Sequence, residues 1–337
     1  MDPLVDLDGI IEKIRVLEAD KKRLAGALKG LPDLTWSTEK IPLGDITIGG
    51  EDGGVTKKTT HLFDFVFLRA VAVLFEYRKG KLSDVRYYPS VSPAPEMTYS
   101  ADPLSEIEFR MFWSLRRLKK EIGTSIRAVE KFSPDIFLVD GSLTIHPGDV
   151  PRKESSLYED YIEVKRQVKE LEDACRKRKC LLAGIVEDSR SRIFCDYLKS
   201  EALPKTGDPK TAKKLSELEG VLSRVKDTNL LYYLLEKGQA TKEIECGEGI
   251  HCFYLRTAEF DRPIRVEHMN PDMSKKLADI IFTLSCESHT YGLPNVLIEA
   301  DQRAKLSEAD SMHYISHIAS KIGVPEVFFL RREGRPF

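Results

Sequence analysis

The chain contains no apolar run near the ~20 residues that would span a bilayer. Its start, MDPLVDLDG, lacks the basic-then-apolar order of a secretory signal. Both absences predict a cytoplasmic protein with no membrane partner. Asn and Gln are scarce while Glu, Lys and Arg abound, a balance that leans towards a thermophile. Among the six cysteines (Cys175, Cys180, Cys195, Cys246, Cys252 and Cys286) no C-x-x-C pair occurs, and several sit in apolar stretches. They read as reduced core thiols rather than zinc ligands or disulfides. An excess of one charge is missing too: a net charge of −2 over 337 residues gives the surface no general attraction for nucleic acid. Basic residues cluster only locally, at Arg116-Arg117-Leu118-Lys119-Lys120 and Arg176-Lys177-Arg178-Lys179. Such runs are the usual dress of a solvated helix face, and a basic channel in a near-neutral protein has the same composition.

The patterns that are present predict an α/β protein. Asp2-Pro3 opens a helix, and Leu7, Ile10, Ile14, Leu17, Leu24 and Leu28 form a heptad-like stripe broken by Lys21. Such a stripe calls for a partner helix, within the chain or across a dimer. Residues 46–52, 61–77 and 82–88 read as an antiparallel meander. A Pro-rich connection over residues 89–103 leads to a helix ending near Ile122. DIFLVD (residues 135–140) is a short buried strand, residues 156–179 a long charged helix, and residues 180–188 another buried strand. Strands near residues 250–256 and 263–268 precede three closing helical segments, at residues 274–288, 293–304 and 308–322. The expected organisation is a helical N-terminal arm, residues 1–32, followed by one continuous α/β domain, residues 33–337.

Two Asp-Gly steps stand out, Asp52-Gly53-Gly54 and Asp140-Gly141-Ser142, each closing an apolar stretch. An Asp leaving a buried strand, with Gly behind it for a sharp turn, holds a carboxylate at the lip of a sheet. Two such strands side by side would converge oxygen ligands suited to a hard divalent cation. A third acid comes from the helix after Pro103. At 100° per residue Glu108 lies about 40° from Leu104 and about 20° from Leu115, on the margin of the apolar stripe, whereas Glu106 faces water at about 200°. A carboxylate on that margin is costly unless paired or metal-bound.

Strand, meander, helix bearing Glu, strand ending in Asp and a late helix is the element order of ribonuclease H-like nucleases. The chain resembles the NurA nuclease family in segments that fall in the family's order. These are Asp52-Gly53-Gly54 before HLFDFVFLRAVAVLF, Glu108 in its helix, DIFLVDGSL around Asp140, GIVEDSRS, Asp227-Thr228-Asn229, and SHTYGLPNVLIEADQRAKLS. The resemblance implies a ribonuclease H-like mixed sheet flanked by helices. It also implies a manganese-dependent DNase, a 5′ to 3′ exonuclease with single-strand endonuclease activity, acting on single- and double-stranded DNA ends in break resection. The implied assembly is a homodimer docked on a HerA-type hexameric ATPase. Carried over by position, the metal ligands and catalytic residues would be Asp52, Glu108, Asp140 and His289, with Asp227 a further acidic position. Where many members carry Lys at a strand end this chain has Glu187-Asp188, so Arg190 or Arg192 would make the phosphate contact.

That ligand set would hold two Mn²⁺ or Mg²⁺ ions about 4 Å apart, Mn²⁺ being favoured by an imidazole donor. Two competing readings remain at this level. Asp52-Gly53-Gly54-Val55-Thr56 resembles the first phosphate loop of actin-like or sugar-kinase-like ATPases, and a non-catalytic DNA-repair adaptor would need no metal.

Overall fold

The computed structural model describes residues 7–60, 63–100, 104–204, 209, 213, 215 and 217–322. The N-cap expected at Asp2-Pro3 lies outside them. Helix α1 (Leu7–Leu28) precedes the short strand β1 (Thr35–Ser37) and the meander of β2 (Ile46–Thr59), β3 (Asp64–Arg78) and β4 (Lys81–Tyr88). A fourth strand, β5 (Glu96–Ser100), forms within the stretch read from the sequence as a bare connection. Helix α2 (Glu106–Phe132) runs ten residues beyond its expected end at Ile122 and stops on Ser133 in the left-handed conformation. Then follow β6 (Ile136–Asp140), α3 (Tyr158–Arg178), β7 (Leu181–Val186), α4 (Ile193–Tyr197), α5 (Glu219–Leu222) and α6 (Asp227–Leu234). The remaining elements are β8 (Gln239–Thr241), β9 (Ile244–Gly247), β10 (Ile250–Leu255), β11 (Ile264–His268), α7 (Ser274–Ser285), α8 (Asn295–Ala304) and α9 (Glu308–Ile322).

These elements form two compact units, each built from two stretches of chain: Met1–Pro42 with Gly184–Pro294, and Leu43–Ala183 with Asn295–Phe337. In the first, β8 and β11 flank β10, with β1 paired to β8 and β9 to β10, all antiparallel. The C-terminal half of α1 belongs to this unit's core: Leu24, Ala25 and Leu28 pack with Phe194, Leu198, Leu222 and Leu231. Its N-terminal half does not, and Leu7, Ile10 and Ile14 stand 60%, 43% and 55% exposed. No described helix is long and apolar enough to cross a membrane.

The second unit is a mixed sheet. β2 pairs antiparallel with β3 over their full lengths, and parallel with β6 on its other edge. β4 and β5 pair with β3. β3 is a near-continuous apolar run because both of its faces are covered. Val66 and Leu68 meet Phe112 and Leu115 of α2, while Phe65 and Phe67 meet Ile315 and Ala319 of α9. Meander, helix, then a parallel strand returning beside the first is the ribonuclease H-like arrangement expected from the sequence. Alternation along β2 divides its residues the same way: Glu51, Gly53 and Val55 face α2, and Gly50, Asp52 and Gly54 face α8.

Candidate metal centre

Asp52-Gly53-Gly54 is no turn. It sits inside an unbroken 14-residue strand, which removes the phosphate-loop geometry of the ATPase reading. The glycines admit neighbouring helices instead. A Cβ on Gly53 would fall 2.1 Å from Glu121 Oε1, and one on Gly54 would fall 2.1 Å from the Ala304 carbonyl oxygen. Both helices therefore ride directly on the strand that carries Asp52.

The parallel register of β2 and β6 pairs Glu51 with Val139, and one further step sets Asp52 beside Asp140. In parallel strands such neighbours point to one face. The two carboxyls are close enough to hydrogen-bond each other. Asp52 is 8% exposed and Asp140 exposed, at the open end of its strand. Burial first, then the charge of Asp140 and that of Asp301, push Asp52 up to about 8, against the opposing hydrogen bond that its Oδ1 accepts from Gly53 N at 2.6 Å. Metal-free, Asp52 thus holds its proton at neutral pH and shares it with Asp140.

Two more acids arrive from the α2 side. Glu51 and Glu121 are buried, and burial lifts both, Glu121 to about 7. Mutual repulsion adds to the rise of Glu51. The cation they share is Arg117, whose Nη1 lies 3.1 Å from Glu121 Oε1. That contact lacks hydrogen-bond geometry, and Glu51 Oε1 and Glu121 Oε1 are both buried without a hydrogen-bond donor. Glu51 Oε2 does accept from Ser125 Oγ, at 3.3 Å. Asp301 comes from the opposite side, on α8, where Val296, Leu297, Ala300 and Ala304 form the buried stripe. It lies one turn beyond Leu297, on the flank of that stripe.

Five carboxyls against one guanidinium is a charge excess that the site relieves by holding protons. A divalent cation would relieve it otherwise, and the donors are oxygens suited to a hard ion. Two of them are buried without a donor, so the residues fit such an ion. Among the described residues, no three His, Cys, Asp or Glu side chains already converge in a metal-holding arrangement; Asp52 and Asp140 lean on each other instead.

Several sequence expectations meet a different structure. Glu108 is the N3 residue of a capping box: Ser105 Oγ accepts from Glu108 N, and Glu108 Oε2 accepts from Ser105 N at 3.0 Å. Thirteen residues separate it from Glu121, about 20 Å along the helix, so Glu121 and not Glu108 reaches β2. Glu108 does lie on the margin, half-buried, and Glu106 is exposed, but the cost of that position is met by the cap and not by a metal. His289 lies in the first unit, its exposed ring 3.4 Å from Glu259. Asp227 is fully buried, and its oxygens accept from Phe194 N, Cys195 N, Ser191 Oγ and Tyr254 Oη. Such a carboxylate caps α4 from within the core and cannot meet a phosphate. The Arg192 guanidinium is committed to the Val225 and Leu222 carbonyls, whereas Arg190 is exposed. Of the cysteines, four are buried and Cys246 is exposed.

Comparison with known proteins agrees with this architecture. No curated protein matches the chain. The crystal structure of the NurA nuclease from Sulfolobus solfataricus superimposes with a TM-score of 0.59 at 16% identity, covering 95% of each chain. A second NurA crystal structure gives a TM-score of 0.55 at 12% identity, over 93% of this chain and 97% of the other. These likenesses show the fold. The model of the NurA domain matches residues 46–306, from the first residue of β2 to just beyond α8. The chain belongs to the NurA family.

Proposed function

We propose that the protein is a divalent-metal-dependent deoxyribonuclease whose ions are held by Asp52, Asp140, Glu121 and Asp301. The observation that carries this reading is the Asp52–Asp140 pair on adjacent parallel strands, flanked by acids from helices on both faces of β2. Bound Mn²⁺ or Mg²⁺ supplies water activation and stabilisation of the leaving oxygen. The chain's own groups do the rest. Asp52 releases its proton when the site loads, Arg117 balances the Glu51–Glu121 pair, and Gly53 and Gly54 keep both helices near the reacting phosphate. Family membership and the likeness to a NurA nuclease support a nucleic-acid substrate, and the sequence resemblance to that family implies DNA. On the same footing we assign 5′ to 3′ exonuclease and single-strand endonuclease activity, two ions per site, and action with a HerA-type hexameric ATPase in end resection. The exposed apolar stripe at the start of α1 supports a homodimer.

Cleavage of 5′- and 3′-labelled DNA with Mn²⁺, run beside an ATPase assay, tests the reading. Asp140→Ala should lose at least 10²-fold in cleavage rate while its circular dichroism and melting remain those of a folded protein. Undiminished cleavage by this variant, or ATP hydrolysis without DNA cleavage by the wild type, would reject it.

A further inference from the structure

The helix that delivers Glu121 carries a second feature. Arg116, Lys119, Lys120 and Arg127 recur on α2 at i, i+3, i+4 and i+11, one stripe along one side of the helix. The stripe is about 16 Å long at 1.5 Å per residue. It lines a cleft of about 310 Å³ whose other walls include Glu96, Thr98 and Gln167. Four cations face one acid there, in a protein whose net charge is −2. Two of the four are already engaged: Arg116 pairs with Asp160 at 3.0 Å and Lys120 with Glu96 at 2.6 Å. Lys119 and Arg127 carry no ion pair to any described residue, although Lys119 also feels the charge of Glu163. Arg116 Nε and Gln167 Oε1 are buried without a partner.

We propose that this cleft holds the phosphate backbone of a single nucleic-acid strand, with Lys119 and Arg127 as its principal contacts. Unspent positive charge in a line, with hydroxyl and amide groups beside it, is a site for a polyanion rather than for one ion. At about 310 Å³ the cleft is far too small for a duplex and suits a single backbone. The cleft's lining includes no aromatic side chain, so the grip is on the backbone and is indifferent to base. The inference rests on the nuclease reading for its substrate class. It adds the path: the strand lies along α2, on a face about 140° around the helix from Glu121, which points to β2.

Fluorescence anisotropy with oligo-dT in EDTA measures binding apart from cleavage. The double variant Lys119→Ala/Arg127→Ala should bind at least tenfold more weakly at 50 mM salt. Its slope of log affinity against log salt should fall by about 1.4, two contacts at ~0.7 each for a single strand. Lys119→Glu alone should weaken binding further than Lys119→Ala, and a circular dichroism spectrum like the wild type's checks its fold. Affinity should rise with oligomer length, and dTMP should compete poorly. An unchanged slope, or equal competition by dTMP and oligo-dT, would overturn the proposal. Failure of the nuclease reading looks different, as full binding and slope in a wild type that cleaves nothing with Mn²⁺.

Discussion

At the scale of single residues, the division between Glu108 and Glu121 decides what α2 is for. Glu108 closes a capping box at the helix start, so Glu108→Ala should lower the melting temperature slightly and leave cleavage unchanged. Glu121→Gln keeps the shape beside Gly53 and removes the charge, and it should reduce Mn²⁺-dependent cleavage by 10²-fold or more. Equal activities in the two variants would return the helix acid to an open question. The convergence of Asp52 and Asp140 is legible in the sequence because each follows an apolar run. Glu121 is not: it follows Lys120, and the sequence predicts the helix to end near Ile122. The available signal was the small polar Ser125 one turn on, together with Gly53 and Gly54, which mark where a helix approaches a strand. Asp301 has a signal of its own, an acid beside the Leu297–Ala300–Ala304 stripe.

At the scale of elements, β2 is a strand with four glycines in fourteen residues. Gly54 is set by contact, since a Cβ there would strike the backbone at the end of α8. Gly54→Ala should cost about 1–3 kcal/mol by overpacking and push Asp301 away, weakening Mn²⁺ binding as well. Gly26→Ala, in α1 with nothing within 4 Å of a new Cβ, should instead raise stability by about 0.5–1 kcal/mol. Thermal melts of both with a Mn²⁺ titration check the pair, and matching shifts would show that α8 is not seated by contact. The strands themselves were readable from apolar runs and period, β3 most of all. The length of β2 was hidden because Asp-Gly-Gly is also the composition of a turn, and only pairing with β3 draws it straight.

At the scale of the whole molecule, the held protons tie stability to pH. Asp52 at about 8 and Glu121 at about 7 lie above their ordinary values, as Glu51 does. The folded protein therefore binds more protons than the unfolded chain between the ordinary carboxylate range near 4 and about 8. Stability from these groups is complete below that window and is lost as pH rises through it. Without metal, the melting temperature should fall between pH 5 and pH 8, and saturating Mn²⁺ should restore it most at the upper end. Asp52→Asn should flatten the metal-free profile and abolish the Mn²⁺ effect. A profile that rises across the window in wild type would contradict the assignment of buried protons.

The chain order of the acids has a further consequence. Asp52, Glu121 and Asp140 all leave the ribosome well before Asp301, which trails Asp140 by 161 residues, the whole first-unit insertion of residues 184–294 among them. At ~5–20 residues per second that delay is on the order of ten to thirty seconds. During it the nascent protein has three of its four acids and no α8 across β2. The four-acid centre proposed above is therefore completed only once residues 295–304 have been made.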